Sequence, residues 1–379
     1  MKINKHIIIL SVFFVSVLCL FSGCIDEPPE EKENFIEITD SAGRVVSIPE
    51  NPERIAVSGS GSMRYFVYLD IDLEKVAIVD FLDSKDHVWA RETRPYILAR
   101  PEILKKDPIG SSGASVDNEK LLASNAQVLF ISTGFASRQN ADDIQEKTGI
   151  PVVMYHMGNY VTEKEKIDDT LRMLAKIFKK EKRCEEVIKY FGDIEKDLKS
   201  RVPNIDDDKK PTVYIAGVSY RGSHGMDGTD PMYHPFEVLE ARNVASESTT
   251  AMSQTGYIKV SKEKILEWDP DIIFVDLATL SAAEGGAIVE LKNDPTYNKL
   301  SAVKNNQIYT VNPHTAMFVN HETTLANAYF VGKVLYPENF KDIDPAEKAD
   351  EIYKFVDGGP VFDQLNKNLG NMSYQNIRI

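Results

Sequence analysis

The feature that most limits what this chain can fold into is a helical stretch over residues 162–201, with strand–helix alternation on both sides of it. Within it Ile167, Leu171, Leu174 and Phe178 recur at three- and four-residue spacing, and Val187, Ile188, Phe191, Ile194 and Leu198 do so after Glu181. Such spacing gives each helix one apolar face, so one helix is followed by a second, longer one. The charges between these positions read as solvated faces. Residues 203–211 (PNIDDDKKP) then break the pattern and mark a lobe boundary.

On the N-terminal side, residues 37–48 read as a β-hairpin around an Asp-Ser-Ala-Gly turn. Short β-prone runs follow at 54–57, 76–79, 128–131 and 151–155, with helical patterns at 118–124 and 141–148. The C-terminal side repeats this, with strands at 212–216, 272–275 and 308–311 and helices at 235–241, 262–267 and 322–335, the last with Asn320 as its N-cap. Buried strands alternating with helices predict an α/β fold with central, mostly parallel sheets. The expected spans are an N-terminal α/β lobe over 35–180, an interlobe helix over 181–201 and a C-terminal α/β lobe over 202–379. An internal echo fits two lobes of similar build. Residues 118–131 and 261–275 each run from a short helix opening with Glu-Lys, through a polar turn, into a buried strand.

The start of the chain fixes the compartment. Lys2 and Lys5 precede an apolar run from Ile7 to Phe21, which ends in Phe21-Ser22-Gly23-Cys24. A basic start, a short apolar run and small residues before a cut site make a secretory signal. The run is shorter than the roughly 20 residues of a membrane span. Small residues before Cys24 resemble a lipobox, although Phe21 stands where Leu is usual. Residues 1–23 are therefore expected to be a signal peptide and Cys24 the lipidated new N-terminus. Cleaved or kept as an anchor, the segment leaves the body extracytoplasmic and on the outer face of the cell membrane. The acidic, Pro-containing residues after it make 24–34 a flexible tether.

The formal net charge of −14 argues against a nucleic-acid partner. Of three cysteines only Cys184 remains in the mature body, so no internal disulfide can form there. Cys184 sits in a helical pattern and reads as a packing residue. Catalytic signals are missing: Gly59-Ser60-Gly61 lacks the spacing of a nucleophile elbow, and Cys-x-x-Cys, His-Glu-x-x-His and dinucleotide motifs do not occur. The expectation is a binding protein and not an enzyme, with no cofactor.

The hairpin and strand at 38–55, the two Glu-Lys segments and Gly217-Val-Ser-Tyr-Arg-Gly-Ser-His-Gly225 together resemble the iron-siderophore and vitamin B12 group of ABC-importer binding proteins. The likeness runs over nearly the whole mature chain, and the order and spacing of its segments carry it. It implies two α/β lobes joined by a single long helix, a ligand cleft between the lobes, and a monomer that serves an ABC permease and its ATPase subunits. It also implies that one Glu on each lobe docks onto permease Arg residues, and Glu119 and Glu263 hold those positions. The ordinary alternative is two first-turn helix carboxylates beside a positive helix end.

Loops after the strands line the cleft in such sheets. Ser58-Gly-Ser-Gly-Ser-Met-Arg64 offers Ser60, Ser62 and Arg64, with backbone N–H groups able to face an anion. The loops at 109–115, with Ser112, and at 132–134 are similar. Arg94 and Tyr96 come next in this lobe, with Tyr155 and His156 at a strand end. In the second lobe Tyr220, Arg221 and His224 share one loop, with Arg221 and His224 the preferred pair. Tyr257 and His314 follow, with Tyr233, His234, Phe318 and His321 as further candidates. Arg suits carboxylate or phosphate-like oxygens, while Tyr and His suit iron or a planar ligand. The family likeness favours an iron complex, such as a siderophore-like chelate. The residues leave open molybdate or tungstate, a corrinoid or haem, and, with His so scattered, least of all a bare metal ion.

Overall fold

The computed structural model describes residues 34–113, 115–248, 256–282, 285–316 and 318–379. The expected export segment and Cys24 lie outside them. Among the described residues no helix is long and apolar enough to cross a membrane.

The first lobe opens with the antiparallel hairpin β1 (Phe35–Thr39) and β2 (Val45–Pro49). Asp40 closes its turn by accepting from the Ala42 and Arg44 N–H groups. Then come β3 (Ile55–Ser58), α1 (Met63–Tyr68), β4 (Val76–Val79), α2 (Pro95–Ala99), β5 (Asp107–Pro108), α3 (Asn118–Ala123), β6 (Val128–Ser132), α4 (Arg138–Thr148) and β7 (Val152–Tyr155). The sheet is parallel, ordered β5-β4-β3-β6-β7. Strands β3, β6 and β7 are buried on both faces, as parallel strands between helices must be. On β6, Val128 and Phe130 enter the main core, while Leu129 and Ile131 enter a smaller one with Leu121 of α3 and Ala141 of α4.

Helices α5 (Tyr160–Phe178) and α6 (Glu181–Arg201) pack on each other. The limits of α6 are those expected from the sequence. Cys184, Val187, Phe191, Ile194 and Leu198 form its buried face, so the lone described thiol is a packing residue. Burial pushes that thiol up to about 12, so it is no ready nucleophile.

The second lobe contains β8 (Thr212–Ala216), β9 (Gly228–Thr229), α7 (His234–Val238), β10 (Arg242–Asn243), β11 (Ile258–Lys259), α8 (Lys262–Trp268), β12 (Ile272–Asp276), α9 (Gly286–Asn293), α10 (Ser301–Lys304), β13 (Ile308–Val311), α11 (His321–Leu335), α12 (Pro345–Val356) and α13 (Phe362–Asn368). Its main sheet is parallel, ordered β10-β8-β12-β13. The internal echo is structural. Each Glu-Lys helix, α3 or α8, feeds the strand that pairs with the first strand of its lobe's parallel sheet, β6 beside β3 and β12 beside β8. One apolar core runs through both lobes and the helices between them. The last helices, unread in the sequence, also reach the first lobe: Arg100 Nε donates to the Asp357 carbonyl (3.3 Å) and Asn368 Nδ2 to the Glu92 carbonyl (2.8 Å).

Candidate functional site

Loops at the C-terminal ends of both parallel sheets meet along one seam, referred to as the gap: Arg64 after β3 reaches Ala316 after β13, and Phe135 after β6 packs on Phe318. On the first-lobe side three Ser/Gly loops meet. A Cβ on Gly113 would stand 2.8 Å from Ser60 Oγ, and one on Gly59 would stand 3.0 Å from Ser132 Cβ. The loops at 58–64, 109–115 and 132–134, separate in sequence, are thus packed side by side. Gly59 (φ +106°) and Gly61 (φ +79°) supply the left-handed turns that reverse the chain after β3.

The donors of this turn are already engaged. Gly59 N–H donates to Asp80 Oδ2 (3.1 Å) and Ser60 Oγ to Asp80 Oδ1 (3.2 Å), while Ser62 Oγ reaches the Ser58 carbonyl (3.0 Å). Asp80, just after β4, holds this turn, and the sequence reading passed over it. Tyr155 lies under the turn and donates to the Ser58 carbonyl (3.3 Å). Ser112 is exposed, and its loop closes on itself through Ser115.

Arg64 is completely buried, and its guanidinium crosses the gap. Nη2 donates to the Ala316 carbonyl (3.3 Å) and to Asn320 Oδ1, both in the second lobe. Burial works against its charge, but neighbouring Tyr68 and Glu322 hold its pKa above the ordinary arginine value. A second crossing joins the Tyr68 hydroxyl to Glu322. Asn320 stands at the N-cap position of α11, as expected, but its side chain does not cap the helix. Its oxygen serves Arg64 and its amide donates to the Pro313 carbonyl (3.1 Å). A buried guanidinium lacks water, and its demand for an acceptor outweighs a helix-end bond worth about 1 kcal/mol.

Arg94 and Tyr96 join the same buried cluster. The Arg64 guanidinium lies 5.1 Å from the Tyr96 ring centre. Arg94 pairs with Asp83 and, at 2.6 Å, with Glu92, and Tyr96 donates to Asp83 (3.1 Å). Burial raises the Asp83 carboxyl to about 6 against the pull of Arg94.

The facing second-lobe loop is more open. Tyr220 and Tyr257 stack with ring centres 5.3 Å apart, and the His224 ring stacks at 4.6 Å from Tyr257. His224 Nε2–H donates to the Tyr220 carbonyl (2.8 Å). Arg221 is exposed, has φ +52° and rests over the Tyr220 ring. Ser219 Oγ meets Thr315 Oγ1 (2.8 Å), which ties this loop to the segment opposite Arg64.

His314 lies beneath, 2% exposed. Nδ1–H donates to Asp276 Oδ2 (2.6 Å), and Nε2 faces Asp230 at 3.7 Å. Burial lowers its pKa, but the two carboxylates outweigh that and raise it to about 9. Tyr233 packs edge-on to His314, while His234 bonds Glu195 of α6 (3.0 Å) and His321 stacks on Tyr65. His156 sits between Thr133 and Glu163. Among the described residues no group of three or more His, Cys, Asp or Glu side chains is gathered for a metal ion. Two surface recesses, of about 220 and 530 Å³, share no lining residue with this gap.

Glu119 and Glu263 occupy equivalent places. Each is the second residue of an N-capped helix and is exposed, with Asp117 and Ser261 as the caps.

The sequence pattern of periplasmic binding proteins matches residues 72–315, more than half of the chain. The chain belongs to the periplasmic binding protein family. Its relatives in this family include the molybdate-binding protein MolA of Haemophilus influenzae, 23% identical over 84% of this chain and 89% of that protein. Another is the Fe(3+)-citrate-binding protein YfmC of Bacillus subtilis, 26% identical over 82% and 91% of the two chains. The solved structure of MolA with molybdate superposes with a TM-score of 0.65 at 23% identity, covering 86% of this chain and 98% of that one. A periplasmic solute-binding protein from Veillonella parvula gives the same TM-score at 20% identity, covering 89% and 97%. The two-lobe periplasmic binding protein fold is therefore the fold of this chain, and its work is that of an ABC-transporter substrate-binding protein.

Proposed function

We propose that this protein captures a small oxyanion of the molybdate or tungstate class outside the cytoplasm and delivers it, without catalysis, to an ABC permease. One observation carries the choice of ligand. Arg64 is a fully buried cation that follows the Ser58–Ser62 turn and bonds Ala316 and Asn320 of the opposite lobe. A guanidinium offers several N–H donors in a fixed fork, which suits the oxygens of a compact anion. Ser60 and Ser219 flank it on opposite sides; their hydroxyls are bonded to Asp80 and Thr315 and would have to turn from these partners to meet an anion. The likeness to MolA supports the same class.

An anionic iron complex, the choice made on family likeness, is the second reading. The exposed Arg221 on the Tyr220–Tyr257–His224 stack favours it, as does the likeness to YfmC. In both readings Glu119 and Glu263 meet the permease, where rim charges set register and association rate more than affinity. Cys24 carries the lipid that holds the protein at the membrane.

The test is native mass spectrometry of the purified chain with elemental analysis, repeated after adding molybdate, tungstate, ferric citrate, cobalamin and haem singly. A one-to-one adduct with molybdate or tungstate is expected. An adduct with ferric citrate alone would move the assignment to the iron complex.

A further inference from the structure

We propose that Phe135 and Phe318 form an aromatic gate between the lobes, and that this pair sets the largest ligand the cleft accepts. Phe135 follows β6 in the first lobe, and Phe318 precedes α11 in the second. Their ring centres are 5.2 Å apart with planes at 82°, the edge-to-face arrangement that aromatic pairs favour.

Three observations place the pair at the site. A Cβ on Gly134 would stand 2.5 Å from Phe318 Cζ, so the rim has no room for a side chain there. A Cβ on Gly59 would stand 3.2 Å from Phe135 Cδ2, so Phe135 leans on the turn that carries Ser60. Phe318 also lies between Ala316 and Asn320, the two residues that accept from Arg64. Phe135 is 40% exposed and Phe318 9%, so one ring faces water and the other closes the gap behind it.

The backbone supports a role beyond packing. Phe318 has φ +69°, a conformation bulky side chains rarely adopt. The tight turn that presents it is held by Ala316 N–H donating to the Phe318 carbonyl (3.1 Å) and by the Thr315–Val319 bridge. Strain kept in place by its surroundings clusters at ligand clamps. Rings 5.2 Å apart centre to centre leave no opening between them, so a chelate several times larger than a tetrahedral oxyanion requires them to part. The size limit rests on the small-anion proposal above; the gate itself does not.

The experiment uses the full chain and two readouts. Without ligand, Phe135→Ala should speed amide hydrogen exchange across the gap in residues 314–320, and Phe318→Ala should do so in 132–136. The double variant should add little, because one contact is lost once. Phe135 is exposed, so its variant keeps the fold, and Phe318→Leu serves if Phe318→Ala does not. Exchange unchanged across the gap would overturn the gate. With ligand, either Ala variant should release molybdate roughly three- to tenfold faster, the range an aromatic pair supports, and should admit ferric citrate that the native chain refuses. Ferric citrate bound equally by native and variant chains would overturn the size limit. If the native chain binds neither, the small-anion assignment fails together with the size limit, and hydrogen exchange alone decides the gate.

Discussion

Arg64 in the first lobe and His314 in the second are both buried cations near the gap, and they are held differently. Arg64 of the first lobe has a fixed charge, and it reaches out of its own lobe to Ala316 and Asn320. His314 of the second lobe is titratable, and it is held by Asp230 and Asp276 of the same lobe. A charge with carboxylates on both sides is neutralised in place and orders the loops around it. Arg64 also has a carboxylate beside it, Glu322, but its own hydrogen bonds cross between the lobes, in the path of whatever enters between them. On the proposed function, the difference gives recognition to Arg64 and architecture to His314.

Replacing Arg64 should have the largest effect. Arg64→Ala removes the cation and strands its buried acceptors, a change that costs about 3–5 kcal/mol where a buried pair is broken. Oxyanion affinity by titration calorimetry should fall at least ~100-fold, and the melting temperature should drop. Arg64→Lys keeps the charge without the fork and should recover only part of the affinity. A variant that still binds at native affinity would break the contrast.

His314 should act on stability first. Its pKa in the folded protein is about 9, above the ordinary value of about 6.5. Its contribution is therefore fully present below about pH 6.5 and is lost as pH rises through about 9, in total roughly 3 kcal/mol. Urea unfolding of the native chain should weaken across that window, and His314→Gln should flatten the dependence. Equal pH slopes in the two proteins would show that His314 is not held as a cation.

Charge reversal at the rim sharpens the comparison from outside. Glu119→Lys combined with Glu263→Lys should lower cellular uptake about tenfold, as lost steering and like-charge contact do, with ligand affinity unchanged. Uptake that persists would remove both from the docking role. The smallest effect is expected at Arg221. On the small-anion assignment, Arg221→Ala should change oxyanion affinity by less than about twofold, since an exposed charge is well screened. A larger loss would give the open loop a share of recognition.

Much of the fold was legible because periodicity is local. The strands Val76–Val79, Thr212–Ala216 and Ile308–Val311 and the helix Glu181–Arg201 stand where their apolar spacing puts them. Helix α12 went unread although Asp344 caps it and Pro345 opens it, signals that do not depend on distant contacts. The site was legible only as a set of loops. That the three Ser/Gly loops belong together follows from the parallel sheet. That Arg64 would meet Asn320 does not, because the partners are 256 residues apart and nothing local marks them. Asn320 has the composition of a cap, and only the buried guanidinium explains why its side chain turns away. Phe318 is a candidate from the sequence, but Phe135 is not, and their pairing is hidden for the same reason: each is an ordinary loop aromatic until the lobes face each other.

The most direct test is a crystal structure of the chain grown with tungstate, read through its anomalous signal. A single strong peak between the lobes, within hydrogen-bond reach of the Arg64 guanidinium, is the predicted result. A peak over the Tyr220–Tyr257–His224 stack with Arg64 still bonded only within the protein, or no ordered peak in the gap, would contradict it.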